Sequence, residues 1–448
     1  MTSNNSAPVL RLKIPNYDSL GLKGNPFPIA GLSTSNTPYP LIEKAMDEEI
    51  HNFISDTLQS KQYCGMAVLG EFGAGKTYAL RYIETLLRTI DTSPDVEEVL
   101  TIYLERPSST VLGLVSDVCN RIGRSRVRNL LLEMILSDLA MVFDKEPVGE
   151  AAVRAKKVQE EFINKNKQTL FDKDWIQTLC SPEAVMNPAG AFDNLYAGGG
   201  KATFLQNFAT ESLNMIIAAQ DKRAYDLAYH LAQFALAEPL DGISLWHSFL
   251  DGKIVSTKSS KSSSGQEVWS AVKRILTHAG YKMIYWLIDE FEELEYELQR
   301  GPAIRSFLAD LRDLIDSNLE GFALVLASKY HPWDICRKLH PAFSHRFSRT
   351  INLPPNDRED LQRMIEMRLE AAHLQSDKRS LPFTKKAIDA IHKLSGGNPR
   401  VAVETCHILL WHAAVESMKE INEHTVANWK NINRAYFYSK QGSGLNGK

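Results

Sequence analysis

The stretch GMAVLGEFGAGKTYAL, residues 65–80, constrains this chain more than any other feature. It satisfies G-x-x-x-x-G-K-[ST] at Gly70, Gly75, Lys76 and Thr77. Glycines at those points let backbone N–H groups turn towards phosphate oxygens with no side chain in the way. GMAVL reads as a short buried strand, and TYALRYIETLLRTI carries helical spacing in Leu80, Ile83, Leu86 and Leu87. Strand, loop and helix in this order place an anion at a helix N-terminus, where the dipole favours it. Gly70, Glu71, Phe72, Gly73, Ala74, Gly75, Lys76, Thr77 and Tyr78 are therefore the candidate ATP-contacting loop. Lys76 is directed at the β/γ-phosphates and the Thr77 hydroxyl at Mg²⁺. A glycine turn fitting the pattern by chance is the alternative, and the flanking strand and helix argue against it.

A phosphate loop also needs an acid at the end of a neighbouring strand. MIYWLIDEFEEL, residues 283–294, supplies one: six apolar residues suited to a strand buried on both faces, then Asp289 and Glu290. Asp289 is the candidate Mg²⁺ ligand and Glu290 the candidate base that orients or deprotonates an attacking water. An acidic helix start is the competing account of FEELEYELQR, but only the first acidic pair follows the apolar run.

Composition narrows the remaining classes. With 51 basic and 54 acidic residues the net charge is −3, so any nucleic-acid contact must come from a local patch. The five cysteines are scattered without a CxxC pair, and no HExxH or GxSxG is present, so zinc, disulfide and serine-hydrolase readings fall away. The opening residues lack a signal-peptide core and no apolar stretch is long enough to span a bilayer, which leads to the expectation of a cytoplasmic protein without membrane contact. No NKxD guanine-reading motif follows the acidic strand.

Further strands are expected within 96–107, 321–334 and 350–355, giving five in a parallel α/β sheet with right-handed crossovers. With these motifs the chain resembles the AAA+ P-loop ATPases of the initiator (origin-recognition) and ExeA-like type over most of its length. The resemblance implies a γ-phosphate sensor ending the fourth strand, here Ser328 with Lys329 as rival. In FSHRFSRTINLPP it implies an arginine reaching a neighbouring subunit's ATP, Arg346 first and Arg349 second. In SGGNPR it implies a second sensor, Arg400, on a helical lid where Gly396 and Gly397 end one helix and Asn398–Pro399 begin the next. In GLKGNPFPIAGL it implies an adenine-pocket segment with Pro26, Phe27 and Ile29, core packing being the equal alternative.

Thr77 and Asp289 are much farther apart than a minimal AAA+ core requires. The expected organisation is a lead-in at 1–45, a nucleotide-binding core at 46–124 and 266–355, a mainly helical insertion with loops at 125–265, a lid at 356–435 and a flexible tail at 436–448. Within the insertion GGGKAT fails as a second phosphate loop, since position 202 is Ala and no strand precedes it, and reads as a turn. The serine-rich 253–266 reads as a loop. RIGRSRVR, residues 121–128, is the sharpest basic signal, with Arg121, Arg124 and Arg128 expected on one helix face beside Arg126. Phosphates of duplex DNA or an acidic surface of another subunit would suit them. Residues 245–294 and the phosphate loop also resemble BREX-type phage-defence ATPases.

The chain closes soon after the lid, where initiators carry a winged helix, which lowers the replication-initiator reading. The leading expectation is a Mg²⁺-dependent AAA+ ATPase that forms homo-oligomeric rings or filaments and acts on DNA or a DNA-associated complex, in phage defence or mobile-element regulation. A DNA-gripping loading adaptor is a variant of it. The alternative is an ATP-dependent switch whose helical insertion recruits a protein effector without DNA.

Overall fold

The structure, a computed structural model, describes residues 15–28, 44–91, 99–143, 201–217, 223–237, 239–254, 264–294, 301–373 and 381–441. Five parallel strands form one sheet in the order β2-β3-β4-β1-β5: β1 (Cys64–Gly70), β2 (Val99–Leu104), β3 (Met283–Ile288), β4 (Phe322–Ser328) and β5 (Arg349–Leu353). The apolar run Met283–Ile288 is the whole of β3, buried throughout. Its side chains still alternate: Met283, Tyr285 and Leu287 enter one core, Ile284, Trp286 and Ile288 the other.

The first of those faces is covered by α1 (Lys44–Ser60) and α2 (Lys76–Asp91). The opposite face carries α3 (Val111–Ile122), α4 (Arg124–Phe143), α5 (Lys201–Ile217), α6 (Arg223–Leu236), α7 (Pro239–Leu250), α8 (Gly265–His278) and α9 (Gly301–Asp316). The 125–265 region is helical where described, as expected, but it is not a satellite. Leu131, Phe208, Leu231 and Trp246 share one continuous apolar cluster with Trp286 and Phe322 of the sheet. One expectation shifts. Lys201 opens α5, so KATF is helical rather than part of a turn, while 187–200 and 255–263 lie outside the described residues.

After α10 (Tyr330–Leu339) and the short α11 (Pro341–Ser344), β5 leads to a helical unit: α12 (Arg358–Ala372), α13 (Lys385–Ser395), α14 (Pro399–Val415), α15 (Glu423–Ala427) and α16 (Trp429–Gln441). Its core also takes Leu20, Leu22 and Phe27 from the N-terminal segment. Of the tail expected at 436–448, residues 436–441 are instead the second half of α16, where Tyr436 is buried and bonded to the lid through His407 Nε2 at 3.1 Å; 442–448 lie outside the described residues. This is the α/β architecture with a helical C-terminal unit that the AAA+ resemblance implies.

Trp286 joins the sheet to the helices on its inner face. It is fully buried, 4.5 Å from Trp269 and 5.1 Å from Phe322 between ring centroids. Trp286→Ala is expected to cost about 3–5 kcal/mol, read by chemical denaturation, because a close-packed layer cannot collapse onto so large a void. A loss under about 1 kcal/mol would contradict this packing.

Candidate functional site

Parallel pairing brings the C-terminal ends of β1 and β3 to the same edge of the sheet, with β4 between them. Open parallel sheets bind ligands at that edge. A cleft of about 240 Å³ lies there, walled by Gly73–Thr77, by Asp289, Glu290 and Glu292, and by Arg368 and Arg400 of the helical unit.

The loop is built as the sequence requires. Gly73 and Gly75 have φ of 80° and 102°, which other residues rarely adopt. At Gly73 a Cβ would also lie 2.6 Å from Asn398 Oδ1. Lys76 opens α2, so the loop amides stand at the start of a helix. The Lys76 ammonium is folded back: it donates to the Gly70 carbonyl at 2.9 Å and pairs with Glu292 Oε1 at 3.5 Å.

Asp289 is almost fully buried. Its Oδ2 accepts from the Tyr103 hydroxyl at 2.9 Å, its Oδ1 from the Glu290 amide at 2.9 Å. Burial and the Asp289 charge push the Tyr103 phenol well above its ordinary range, so it stays a donor. Glu290 has a φ of 48°, a left-handed backbone strained for a non-glycine residue, as is common at functional sites. Its carboxylate lines the cleft yet pairs with Arg106 Nε at 2.7 Å.

The helical unit closes the third side. Asn398 caps α14 by accepting from Arg400 N at 3.0 Å and Val401 N at 3.3 Å, and its Nδ2 donates to the Phe72 carbonyl at 2.7 Å. Gly396, in left-handed backbone, ends α13 and Pro399 begins α14, as SGGNPR predicts. Arg400 lies over the Phe72 ring, 4.6 Å from its centroid.

Several expected site residues sit elsewhere. Phe27 is not at the cleft: it is 1% exposed in the lid core, edge-on to Phe383, and its carbonyl meets His407 Nδ1 at 2.5 Å. Neighbouring Pro26 is half-buried in the same segment and also away from the cleft walls, and Ile29 lies outside the described residues. Ser328 ends β4 beside Leu69, fully buried, its hydroxyl without a partner among the described residues, and it does not line the cleft. Lys329 reaches Glu292 at 3.8 Å. Arg346 is bidentate to Asp316 at 2.6 and 3.0 Å, which holds that carboxyl below its usual range. Arg349 pairs with Glu49 at 2.5 Å and with Asp56. Gly123, at φ 97°, divides the basic segment, so Arg121 ends α3 while Arg124, Arg126 and Arg128 begin α4; the single helix face is not formed. Arg126 bonds to the Tyr281 hydroxyl, and Arg128 donates to the Ala235 and Ala237 carbonyls at 3.0 and 2.9 Å, capping α6. Arg121 is exposed.

Sequence reasoning missed Glu292 and Arg368. Glu292 was visible as a third acid in DEFE; nothing local marks Arg368 in the amphipathic DREDLQRMIEMRLEAA.

No family model matches the chain. A 107-residue stretch is 30% identical to an uncharacterised HTH-type transcriptional regulator of Methanocaldococcus jannaschii, covering 24% of this chain and 26% of that protein. Among solved structures, a chain of Drosophila ORC bound to DNA aligns with TM-score 0.42 and 11% identity, over 89% of this chain and 63% of that one. Cdc6p from Pyrobaculum aerophilum aligns with TM-score 0.40 and 11% identity, over 88% and 68%. Likenesses this distant carry no inference about chemistry, which rests on the cleft itself.

Asn398→Ala removes both the α14 cap and the tie to the loop. It is expected to lower stability by about 1–2 kcal/mol, seen as a reduced denaturation midpoint, whereas Asn398→Asp retains the cap and loses only the loop contact.

Proposed function

We propose that the chain is an AAA+-type ATPase that binds ATP with Mg²⁺ in this cleft and hydrolyses it. The observation that carries the reading is the convergence, in one cleft, of a glycine loop at a helix start, the carboxylates of Asp289, Glu290 and Glu292 beside it, and two lid arginines. The donor set fits the groups it would hold. Loop amides and Lys76 suit phosphate oxygens; the Thr77 hydroxyl and Asp289 suit a hard divalent cation. Mg²⁺ held there would neutralise charge developing between the β- and γ-phosphates.

The chain's own residues then have distinct tasks. Lys76 exchanges the Gly70 carbonyl and Glu292 for phosphate. Tyr103 holds the Asp289 carboxylate in one orientation. Glu290 releases Arg106 and takes a proton from the attacking water. Arg400, carried by a turn that touches the loop, reports phosphate to the lid. Arg346 is the candidate group acting on a neighbouring subunit's nucleotide in a homo-oligomer, which requires it to leave Asp316.

Action on DNA or a DNA-associated complex is supported by the partial likeness to a protein named as an HTH-type regulator and by exposed Arg121. Use of Arg128 as a helix cap, with Arg126 exposed but bonded to Tyr281, narrows the basic patch and favours an associated complex, or a protein effector reached through the helical region, over a broad phosphate grip. A phage-defence setting rests on the local BREX-type resemblance alone. No helix among the described residues is long and apolar enough to cross a membrane.

Steady-state ATP turnover with and without duplex DNA, at several protein concentrations, tests these points. Lys76→Ala and Glu290→Gln are each expected to lower turnover by about 100-fold, Glu290→Gln with nucleotide binding retained. Stimulation by DNA that fades with added salt supports the DNA reading. Turnover indifferent to DNA moves the assignment to the protein-controlled switch, and wild-type turnover no greater than that of Lys76→Ala would sink the hydrolase reading. Arg346→Ala should remove any rise in specific activity with protein concentration.

A further inference from the structure

Among the cationic groups at the cleft, Arg368 stands apart. Asp360, Met364 and Arg368, spaced four apart, turn one stripe of α12 to the cleft, while Leu361, Ile365 and Leu369 enter the lid core. Arg368 is 8% exposed and its Nε has no hydrogen-bond partner. No carboxylate pairs with it among the described residues; the titratable groups whose fields reach it are the Tyr78 phenol and the Cys406 thiol. Burial accordingly lowers its pKa, a sign that the charge is held there at a cost. Of the other cations lining the cleft, Lys76 is paired with Glu292 and Arg400 lies over the Phe72 ring. A buried, unpaired guanidinium facing a cleft is costly unless an anion arrives to meet it.

Position indicates which anion. Arg400 lies against Phe72 and Gly73, in the forward part of the loop. Arg368 shares the cleft wall with Tyr78, one residue beyond Thr77 and inside the first turn of α2, whose phenol is among the groups whose field reaches it. The helix-start side of such a loop cradles the inner phosphates, whereas the lysine reaches outward to the β/γ end. We propose that Arg368 is a nucleotide-binding residue that grips the phosphates common to ADP and ATP, so that the lid stays engaged after the γ-phosphate is lost. This deepens the ATPase reading of the cleft and rests on it.

Titrations of the full chain with methylanthraniloyl-labelled ADP and ATP in Mg²⁺ buffer, alongside melting of the nucleotide-free protein, test the assignment. Arg368→Met is expected to weaken ADP and ATP alike, by about tenfold or more, as loss of a charge-assisted contact does. Arg368→Lys should fall between it and wild type, keeping the charge without the fork. Arg400→Met should weaken ATP more than ADP. Nucleotide-free Arg368→Met should melt no lower than wild type, since an unpaired buried charge has been replaced by an apolar chain of similar length.

Wild type that binds both nucleotides, with Arg368→Met within twofold of it, overturns the role of Arg368 and leaves the ATPase reading intact. A loss confined to ATP overturns the placement at the shared phosphates. Failure of Arg368→Met to fold, or a clear fall in its melting temperature, assigns the residue to lid structure and also overturns the inference. Wild type that binds neither nucleotide removes the ATPase reading and this one with it.

Discussion

The lid meets the phosphate loop through one contact, the turn from Gly396 to Arg400 pressed against Phe72 and Gly73. Asn398 serves two helices' worth of structure at once: its Oδ1 caps α14, and its Nδ2 holds the Phe72 carbonyl. The fit is close on both sides. A Cβ at Gly397 would lie 2.4 Å from the Asn356 carbonyl, and one at Gly73 would strike Asn398 itself. Glycines are needed here for space as well as for backbone angle. Because the turn also carries Arg400, any change in the loop is felt by the lid through backbone and side chain together.

Around this contact the charges are arranged in pairs that must be exchanged before chemistry can occur. Lys76 is on Glu292, Glu290 on Arg106, Arg346 on Asp316. The Glu290–Arg106 pair is substantially exposed, and exposed single ion pairs contribute little to stability, so breaking it costs the fold little. Arg346–Asp316 is bidentate and half-buried, so its exchange asks more of the incoming anion. Lys76 and Glu292 are different. Both are buried, so removing one partner strands a charge, and Lys329 at 3.8 Å is the group positioned to keep Glu292 compensated when Lys76 turns to a ligand.

What the sequence discloses follows the range of the forces involved. The loop, the bounds of β3 and the SGGNPR turn are written in local rules: positive φ at glycine, an unbroken apolar run for a strand buried on both faces, proline at a helix start. Each appears where those rules place it. The arginines are not local. Arg128 was legible as basic, but the helix end it caps lies over a hundred positions away, at Ala235 and Ala237, and only the folded chain brings the two together. Phe27 shows the same limit in reverse. Its motif fits an adenine pocket as well as a core, and the lid's own apolar surface, with Phe383 and His407, decides the matter. Arg368 gives no local signal, since an amphipathic helix tolerates an arginine beside its apolar stripe.

The helical region between the two nucleotide motifs is best understood from the sheet it covers. A parallel sheet exposes two apolar faces, and both need helices. Here α1 and α2 cover one face, and the other is sealed by α3, α8 and α9 together with the inserted helices, through a single cluster that runs from Trp286 to Trp246. The insertion is thus anchored on α3 and α8, the helices that share its apolar cluster with Trp286 of β3, the strand whose end carries Asp289 and Glu290. A partner that shifts these helices would push on a close-packed layer rather than a flexible appendage, and such layers transmit strain instead of absorbing it. That gives the region a physical route to the acidic end of the cleft, through Trp269, Trp286 and β3, that does not pass through the lid.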